Sequence, residues 1–395
     1  MSASTVALPS KPRPRPRSHF RSVVSLPAIA LAGTLLLELL LQIHNPFLKR
    51  IKSGRVVLPA AEQFHIQNRS IPSLAREITV TRNSIGFRGP EPPANFATYL
   101  TIFTMGGSVA QGFYLSDGHT WTDRLGDRLS GSFRRVWTNN AALDPQSTHA
   151  YIPMLEDYIR KFRPKVVVFH PTNDVVTDES PGVGDGENVK GPLVFRTPTT
   201  FIRTLSPYSE LAGLIAEFDR RWNFYRHGVL HHAIDLRQWG SLDSSEEFRN
   251  AFLGRYAGIH LSGYGDRLRR LVQLCREAQI TPVLVTEPNL VGFGIDDVTH
   301  VDLARVAIED FPGVNGKLFW DLHEMYNEMT RRVAREQNVT LVDLAKELPK
   351  SSRLFYDYVH FTDAGAKAAG DIAYRDICPA FGEKFHSYST GPCQN

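Results

Sequence analysis

Three separated stretches of the sequence carry side chains that could act together on a carbonyl group. Gly106-Gly107-Ser108 closes the apolar run YLTIFTM. Two glycines let the chain turn sharply and leave the Ser108 hydroxyl at the carboxyl end of a strand, where open α/β sheets keep their crevices. Taken alone, GGS is also ordinary loop sequence. Pro171-Thr172-Asn173-Asp174 ends a second apolar run, so Asn173 can donate to a developing negative charge and Asp174 can cap a helix or brace the turn. Near the C-terminus, Asp357-Tyr358-Val359-His360 precedes FTDAGAKAAG, in which Thr362 or Asp363 can cap a helix. An Asp three residues before a His can fold back within a loop, accept from the imidazole and hold its free nitrogen toward a hydroxyl. By itself that stretch reads equally well as a capped turn with a surface His. In combination, a Ser, an Asn and an Asp/His pair at three strand or loop ends point to nucleophilic acyl hydrolysis. His170 falls inside a predicted strand, which gives it a structural role.

These groups need a sheet to position them. Short apolar runs recur at Tyr99 to Met105, Arg135 to Thr138, Lys165 to His170, Thr281 to Glu287 and Val339 to Leu344. Between them lie stretches of helical periodicity. Ile152, Leu155, Ile159 and Phe162 share one face; so do Leu268, Leu271, Val272 and Cys275, and again Met325, Met329 and Val333. A helix is also expected from about Trp121. Buried strands alternating with amphipathic helices predict an α/β fold, a three-layer α/β/α sandwich around a mainly parallel five-stranded sheet. Residues 175–262 interrupt the rhythm with SPGVGDGENVKGP and then Trp222, Phe224, Tyr225 and Trp239. They read as an excursion of loops and helices above the strand ends, either a substrate pocket or a packing subdomain.

The N-terminus is different. Residues 1–22 form a basic tail in which Lys11, Arg13, Arg15, Arg17 and Arg21 alternate with prolines, so no helix propagates. Residues 23–43 carry Glu38 as their one charged side chain and are long enough for a single transmembrane helix. Glu38 is tolerable near one end of the span. A cleaved signal peptide and a buried helix are the competing readings, and no A-x-A site follows promptly. The flank after the span holds Lys49, Arg50, Lys52 and Arg55, so the charge difference only modestly favours a cytoplasmic N-terminus. Residues 44–82 then read as linker and lead-in, 83–380 as the folded domain and 381–395 as a C-terminal tail.

Composition narrows the rest. Lys and Arg number 45 against 41 Asp and Glu in 395 residues, too balanced for nucleic acid to be the expected partner. Three cysteines, Cys275, Cys378 and Cys393, exclude a disulfide scaffold and match no common zinc spacing. Cys275 packs on a helix in this reading, while Cys378 and Cys393 are candidates to pair across a short loop, as an oxidising compartment would allow. His231, His232 and Asp235 lack further ligands at metal-binding spacing and read as surface residues. Asn68 and Asn338 stand in formal glycosylation triplets, relevant only in a host with that machinery. No P-loop or dinucleotide fingerprint is present, and a hydrolytic triad needs no cofactor.

The sequence resembles the SGNH, or GDSL, family of hydrolases. The matching blocks are MGGSVAQG at Met105 to Gly112, NNAA at Asn139 to Ala142, PTND at Pro171 to Asp174 and DYVH at Asp357 to His360. NSIGFRGPE, Asn83 to Glu91, resembles the lead-in of bacterial envelope-associated members. The resemblance implies Ser108 as nucleophile, His360 as general base and Asp357 as its orienter. It also implies an oxyanion hole built from the backbone N–H groups of Ser108 and Ala142 and the Asn173 side chain. The family pattern has Gly where Ala142 and Pro171 stand; Ala restricts φ and Pro has no N–H, so donor geometry is where this chain departs.

The expected function is therefore a serine esterase hydrolysing carboxylic esters through an acyl-enzyme, with an acylated small molecule or an envelope glycan as substrate and no metal or cofactor. The alternatives are an extracytoplasmic carbohydrate O-acyltransferase using the same residues and an inert envelope-binding module. The expected location is a bacterial inner membrane, with one span and the catalytic domain outside the cytoplasm.

Overall fold

The computed structural model describes residues 19–393 apart from 55, 173, 176–196, 228–230, 232, 234 and 310. Helix α1, His19–Ile43, comes first. Two antiparallel hairpins follow, β1 Arg50–Ser53 with β2 Val56–Pro59 and β3 Glu62–Gln67 with β4 Glu77–Arg82, in the segment read as linker and lead-in. The main sheet contains β5 Leu100–Gly106, β6 Val136–Asn140, β7 Val166–His170, β8 Thr281–Val285 and β9 Thr340–Val342, all parallel, in the order β6-β5-β7-β8-β9.

The strands read as unbroken apolar runs because both faces are covered. Alternate residues go to opposite sides: Leu100, Ile102, Val166, Val168, Val283 and Val285 join one core, while Phe103, Met105, Val167, Phe169 and Leu284 join the other. Helices α2 Ser108–Gln111 and α3 Trp121–Ser132 precede β6. Then α4 Thr148–Met154 runs through a widened turn at Leu155–Ile159 into α5 Arg160–Phe162. The excursion supplies α6 Pro198–Leu205, α7 Glu210–His227 and α8 Glu246–Ile259. It leads into α9 Leu261–Glu277, after which come α10 Gly316–Glu336, α11 Leu344–Glu347 and α12 Asp363–Lys384. Trp121, Leu125 and Leu129 of α3 pack with Ala366, Ala369 and Ile377 of α12 on the first face. Tyr151 and Leu155, Leu268 and Leu271, and Leu322 and Val333 cover the second, completing an α/β/α sandwich.

Both ends of the domain are tied down. The Asn83–Glu91 lead-in pairs with the edge of the sheet, Asn140 donating to Arg88 O at 2.8 Å and Arg88 returning a bond to Asn140 O at 3.1 Å. Cys378 in α12 is joined by a disulfide to Cys393, which holds the C-terminal tail against its helix. Cys275 is buried in α9 and reduced, and burial pushes its thiol up to about 12. In α1, residues Leu26–Ile43 are apolar and long enough to cross a membrane and are largely unburied by the rest of the chain.

Candidate active site

At the end of β5 the chain has no room for a side chain. A Cβ on Gly106 would stand 2.2 Å from Ala110 Cβ and 3.0 Å from His170 O, so only glycine lets the turn that leads to Ser108 sit against β7. Ser108 opens the short helix α2, whose first N–H groups have no acceptor within the helix. The turn is braced from the lead-in: the buried Arg88 guanidinium donates to Gln111 O at 2.9 Å, Gly112 O at 2.7 Å and Leu115 O at 2.9 Å, and pairs with Asp117 at 3.2 Å.

The C-terminal loop approaches from the opposite end of the sequence. Thr362 caps α12 by accepting from Gly365 N at 3.1 Å, and its own hydroxyl donates to Arg353 O at 2.8 Å. Phe355 and Phe361 bridge the loop's base. Asp357 folds back inside it as the three-residue spacing predicts: Oδ1 accepts from Val359 N at 2.9 Å and His360 N at 2.7 Å. Asp357 Oδ2 lies 2.7 Å from His360 Nδ1, and His360 Nε2 lies 2.8 Å from Ser108 Oγ. Ser108, His360 and Asp357 thus form a continuous hydrogen-bonded chain across residues 252 apart in sequence. With Nδ1–H donating to the carboxylate, Nε2 presents its lone pair to the hydroxyl.

The charges in this chain reinforce one another. Burial would push the His360 imidazolium down, but the Asp357 carboxylate, with Asp144 and Glu287 farther off, outweighs it and holds the pKa above the ordinary value. Burial would likewise lift Asp357, yet His360 and the loop amides hold it below the usual carboxylate range.

The expected oxyanion donors are arranged less simply. The Ala142 amide donates to Asn140 Oδ1 at 3.0 Å, while Asn140 Nδ2 donates to Ala110 O at 2.7 Å. In this conformation the Ala142 N–H is engaged within its own turn. Asn173 lies outside the described residues. Its neighbour Asp174 braces the turn, accepting from Thr148 N at 3.2 Å and pairing with Arg267 at 3.2 Å. His170 is fully buried with Nε2 2.7 Å from Glu287 Oε2, and burial lifts the Glu287 carboxyl against the pull of His170.

Sequence reasoning missed three neighbours of His360. His231, read there as a surface residue, is half-buried, with its ring centroid 4.3 Å from that of His360 and Nδ1 2.7 Å from Tyr356 Oη. The long excursion folds back over the site, which no local pattern in residues 228–235 announces. His232 lies outside the described residues, and Asp235 is exposed. Tyr356 lies parallel to the His360 ring, 5.6 Å away at an interplanar angle of 10°, and burial beside Asp357 raises its phenol well above the ordinary value. Asp144, two residues after Ala142, is the third; burial raises its carboxyl against the attraction of His360. Among the described residues, His231, Asp357 and His360 have ligand atoms within 4.8 Å of one another, the spacing a metal ion would need. Both His360 nitrogens are already committed to Asp357 and Ser108, so a cation there would have to displace a hydrogen bond.

No curated protein matches the chain. Among solved structures, an acetylxylan esterase from Geobacillus stearothermophilus is 13% identical, over 71% of this chain and 94% of that one, with a TM-score of 0.37. The acetyl xylan esterase AlAXEase is 16% identical over 70% of this chain and 99% of that one, TM-score 0.37. An α/β hydrolase from the metagenome of Lake Arreo, Spain, is 12% identical over 71% and 94%, TM-score 0.38. The description "GDSL-like Lipase/Acylhydrolase family" matches residues 104–368, a stretch that begins within β5 and takes in Ser108, Asp357 and His360. By that match, over more than half its length, the chain belongs to the GDSL-like lipase/acylhydrolase family.

Proposed function

We propose that this family member is a serine esterase in which Ser108 is the nucleophile, His360 the general base and Asp357 the group that orients and charges it. The observation that carries the reading is the hydrogen-bonded chain from Ser108 Oγ through His360 to Asp357, at 2.8 and 2.7 Å. Ser108 Oγ attacks the ester carbonyl carbon as its proton passes to His360 Nε2. The tetrahedral oxyanion is met by the Ser108 N–H, the Asn173 amide and the Ala142 N–H once it turns from Asn140; loss of one such donor typically costs about 3 to 4 kcal/mol of transition-state stabilisation. Collapse expels the alcohol, which takes the proton from His360. Water then attacks the acyl-enzyme by the same route and releases the acid. The substrate is a carboxylic ester, with O-acyl groups on envelope glycans the favoured class because the domain follows a membrane anchor.

In this reading residues 1–22 are a basic tail, 23–43 an uncleaved anchor and 83–380 a hydrolase domain outside the cytoplasm. The Cys378–Cys393 disulfide supports an oxidising compartment. A second reading, transfer of the acyl group to a carbohydrate hydroxyl, is favoured by the rings packed around the base: Tyr356 and His231 leave the His360 side chain only 15% exposed, which restricts water.

A fluorophosphonate probe tests the assignment. The wild-type protein should be labelled at one serine and Ser108→Ala should not be labelled; an equally labelled Ser108→Ala would overturn it. Product analysis with p-nitrophenyl acetate, with and without glycan acceptors, separates hydrolysis from transfer.

A further inference from the structure

Glu38 is the one acid in an otherwise apolar helix, and the fold gives it a partner. Its carboxylate accepts from Ser209 Oγ at 2.8 Å, Glu210 N at 2.8 Å and Leu211 N at 2.9 Å, so α1 caps the N-terminus of α7 from a distant part of the chain. The joint is reinforced by the segment after α1, where Asn45 and, from β1, Arg50 and Lys52 all reach the Glu210 carboxylate. α7 is therefore fastened to the last part of α1.

The free face of α7 is apolar where a water-exposed helix would be polar. Ile215, Phe218 and Trp222, at spacings of three and four, are 44%, 66% and 48% exposed, while Ala212, Ala216 and Glu217 turn inward. The Phe218 and Trp222 rings stack, and Arg226 lies over Trp222 at 5.6 Å. Phe47, just past α1, and Tyr208, just before α7, extend the same character at 68% and 50% exposure. An aromatic, arginine-bordered strip of this kind is what bilayer interfaces select.

We propose that α7 lies in the headgroup–acyl boundary of the bilayer that α1 spans, its Ile215–Phe218–Trp222 face against lipid and Arg226 toward phosphate. The inference rests on the anchor reading. Continuity argues for lipid as the occupant: the apolar, unburied Leu26–Ile43 stretch of α1 is joined through Glu38 to the first residues of α7. Depth agrees as well. Glu38 stands five residues before the end of α1, or about 7.5 Å along its axis, against about 5 to 10 Å for an interfacial helix. In this arrangement Glu38 is neutralised in effect by helix amides at the interface, and the excursion that carries His231 to the site is held at the membrane surface.

The test uses the full chain in vesicles of phosphatidylcholine and phosphatidylglycerol, with a single environment-sensitive fluorophore on an introduced cysteine. Cys275 is buried and the other two cysteines are paired, so labelling is confined to the new site. Phe218→Cys is the reporter, Leu35→Cys the reference for α1 and Glu383→Cys the aqueous reference on α12. Brominated acyl chains should quench positions 218 and 35 at least about twofold more than 383, with Trp222→Cys behaving like 218. Quenching at 35 without quenching at 218 or 222 overturns the proposal and leaves the anchor standing. No quenching at 35 removes the anchor and the proposal together. Shielding of the 218 label that tracks protein concentration instead of lipid assigns the face to a second copy, which also overturns it.

Discussion

Replacing Asp357 by Asn changes the electronics of the site while leaving its scaffold in place. Asp357 Oδ1 accepts from two loop amides at 2.9 and 2.7 Å, and an Asn carbonyl oxygen can keep both bonds. The other atom is the one that matters. Oδ2 accepts from His360 Nδ1 at 2.7 Å; an amide NH2 there is a donor, so Nδ1 must become the acceptor and the proton moves to Nε2. His360 then donates to Ser108 where it should accept, and cannot take the serine proton. In Ser-His-Asp hydrolases this tautomer error costs about 10⁴ in kcat, or about 5.4 kcal/mol of transition-state stabilisation. The same substitution should move the pH profile. Asp357 is the main force lifting His360 above its ordinary value, and the base works only when neutral, so the wild-type acid limb should lie above that of an ordinary histidine. Without the carboxylate the residual activity should lose its acid limb to lower pH. The assay is kcat/KM for p-nitrophenyl acetate against pH, with a thermal melt as folding control. A well-folded Asp357→Asn enzyme within tenfold of wild type, with its acid limb unmoved, would refute the reasoning.

Other consequences concern how the site is held. Gly106→Ala should destabilise the protein by about 1 to 3 kcal/mol and remove fluorophosphonate labelling, because its Cβ would meet Ala110 Cβ and His170 O; urea titration and gel labelling read the two effects. Arg331, with its side chain 2% exposed, bonds Asp343 through Nε and Nη2 at 2.8 Å each and Glu324 through Nη1 at 2.6 Å. Arg331→Gln removes the main partner of the Asp343 carboxylate, which keeps only the Thr286 hydroxyl at 2.9 Å and the more distant Lys346, and should cost about 3 kcal/mol at neutral pH by chemical denaturation. Burial alone would lift Asp343, but Arg331 and Thr286 hold it below the usual range. Its contribution is therefore present above the unfolded carboxylate pKa and lost as pH falls through the folded one, so the gap between wild type and variant should narrow below about pH 4. Removing the Cys378–Cys393 bridge, which closes a separation of 15 residues, should lower stability by about 3 kcal/mol, read as a loss in unfolding free energy of the double Ser variant.

What the sequence discloses follows from how local each cause is. The five strands are visible because burial on both faces imposes continuous apolar runs, and all five end within two residues of where those runs end. The Asp357 loop is visible because its geometry is set by three residues and one cap. The hairpins of residues 50–82 are not, since RIKS and EQFHIQ have only partial alternation and short length to distinguish them from a polar linker. Arg88 and His231 are hidden for a different reason. Their roles come from contacts made across the fold, Arg88 to carbonyls 23 to 27 residues on and His231 to Tyr356 at a separation of 125, and no periodicity encodes them. The partners of Glu38 are equally hidden, because the groups that donate to its carboxylate, Ser209 to Leu211, stand more than 170 residues away.

The departures at Ala142 bear on where binding energy is used. Its N–H is occupied by Asn140 Oδ1 at 3.0 Å, a neutral bond whose net worth is about 1 kcal/mol. An oxyanion is the stronger acceptor: a bond to a charged group contributes about 1.5 to 3 kcal/mol. The amide has therefore little reason to leave Asn140 for a neutral ester carbonyl and a clear reason to turn toward a tetrahedral intermediate. Asn140 is itself anchored to Ala110 O, so its side chain stays in place to receive the amide again once the charge collapses. A donor engaged this way contributes in the transition state and hardly at all in the ground state, which raises kcat without tightening substrate binding. On this argument Asn140→Ala, which frees the amide at rest, should lower KM for the ester more than it raises kcat, and an unchanged KM would count against the idea.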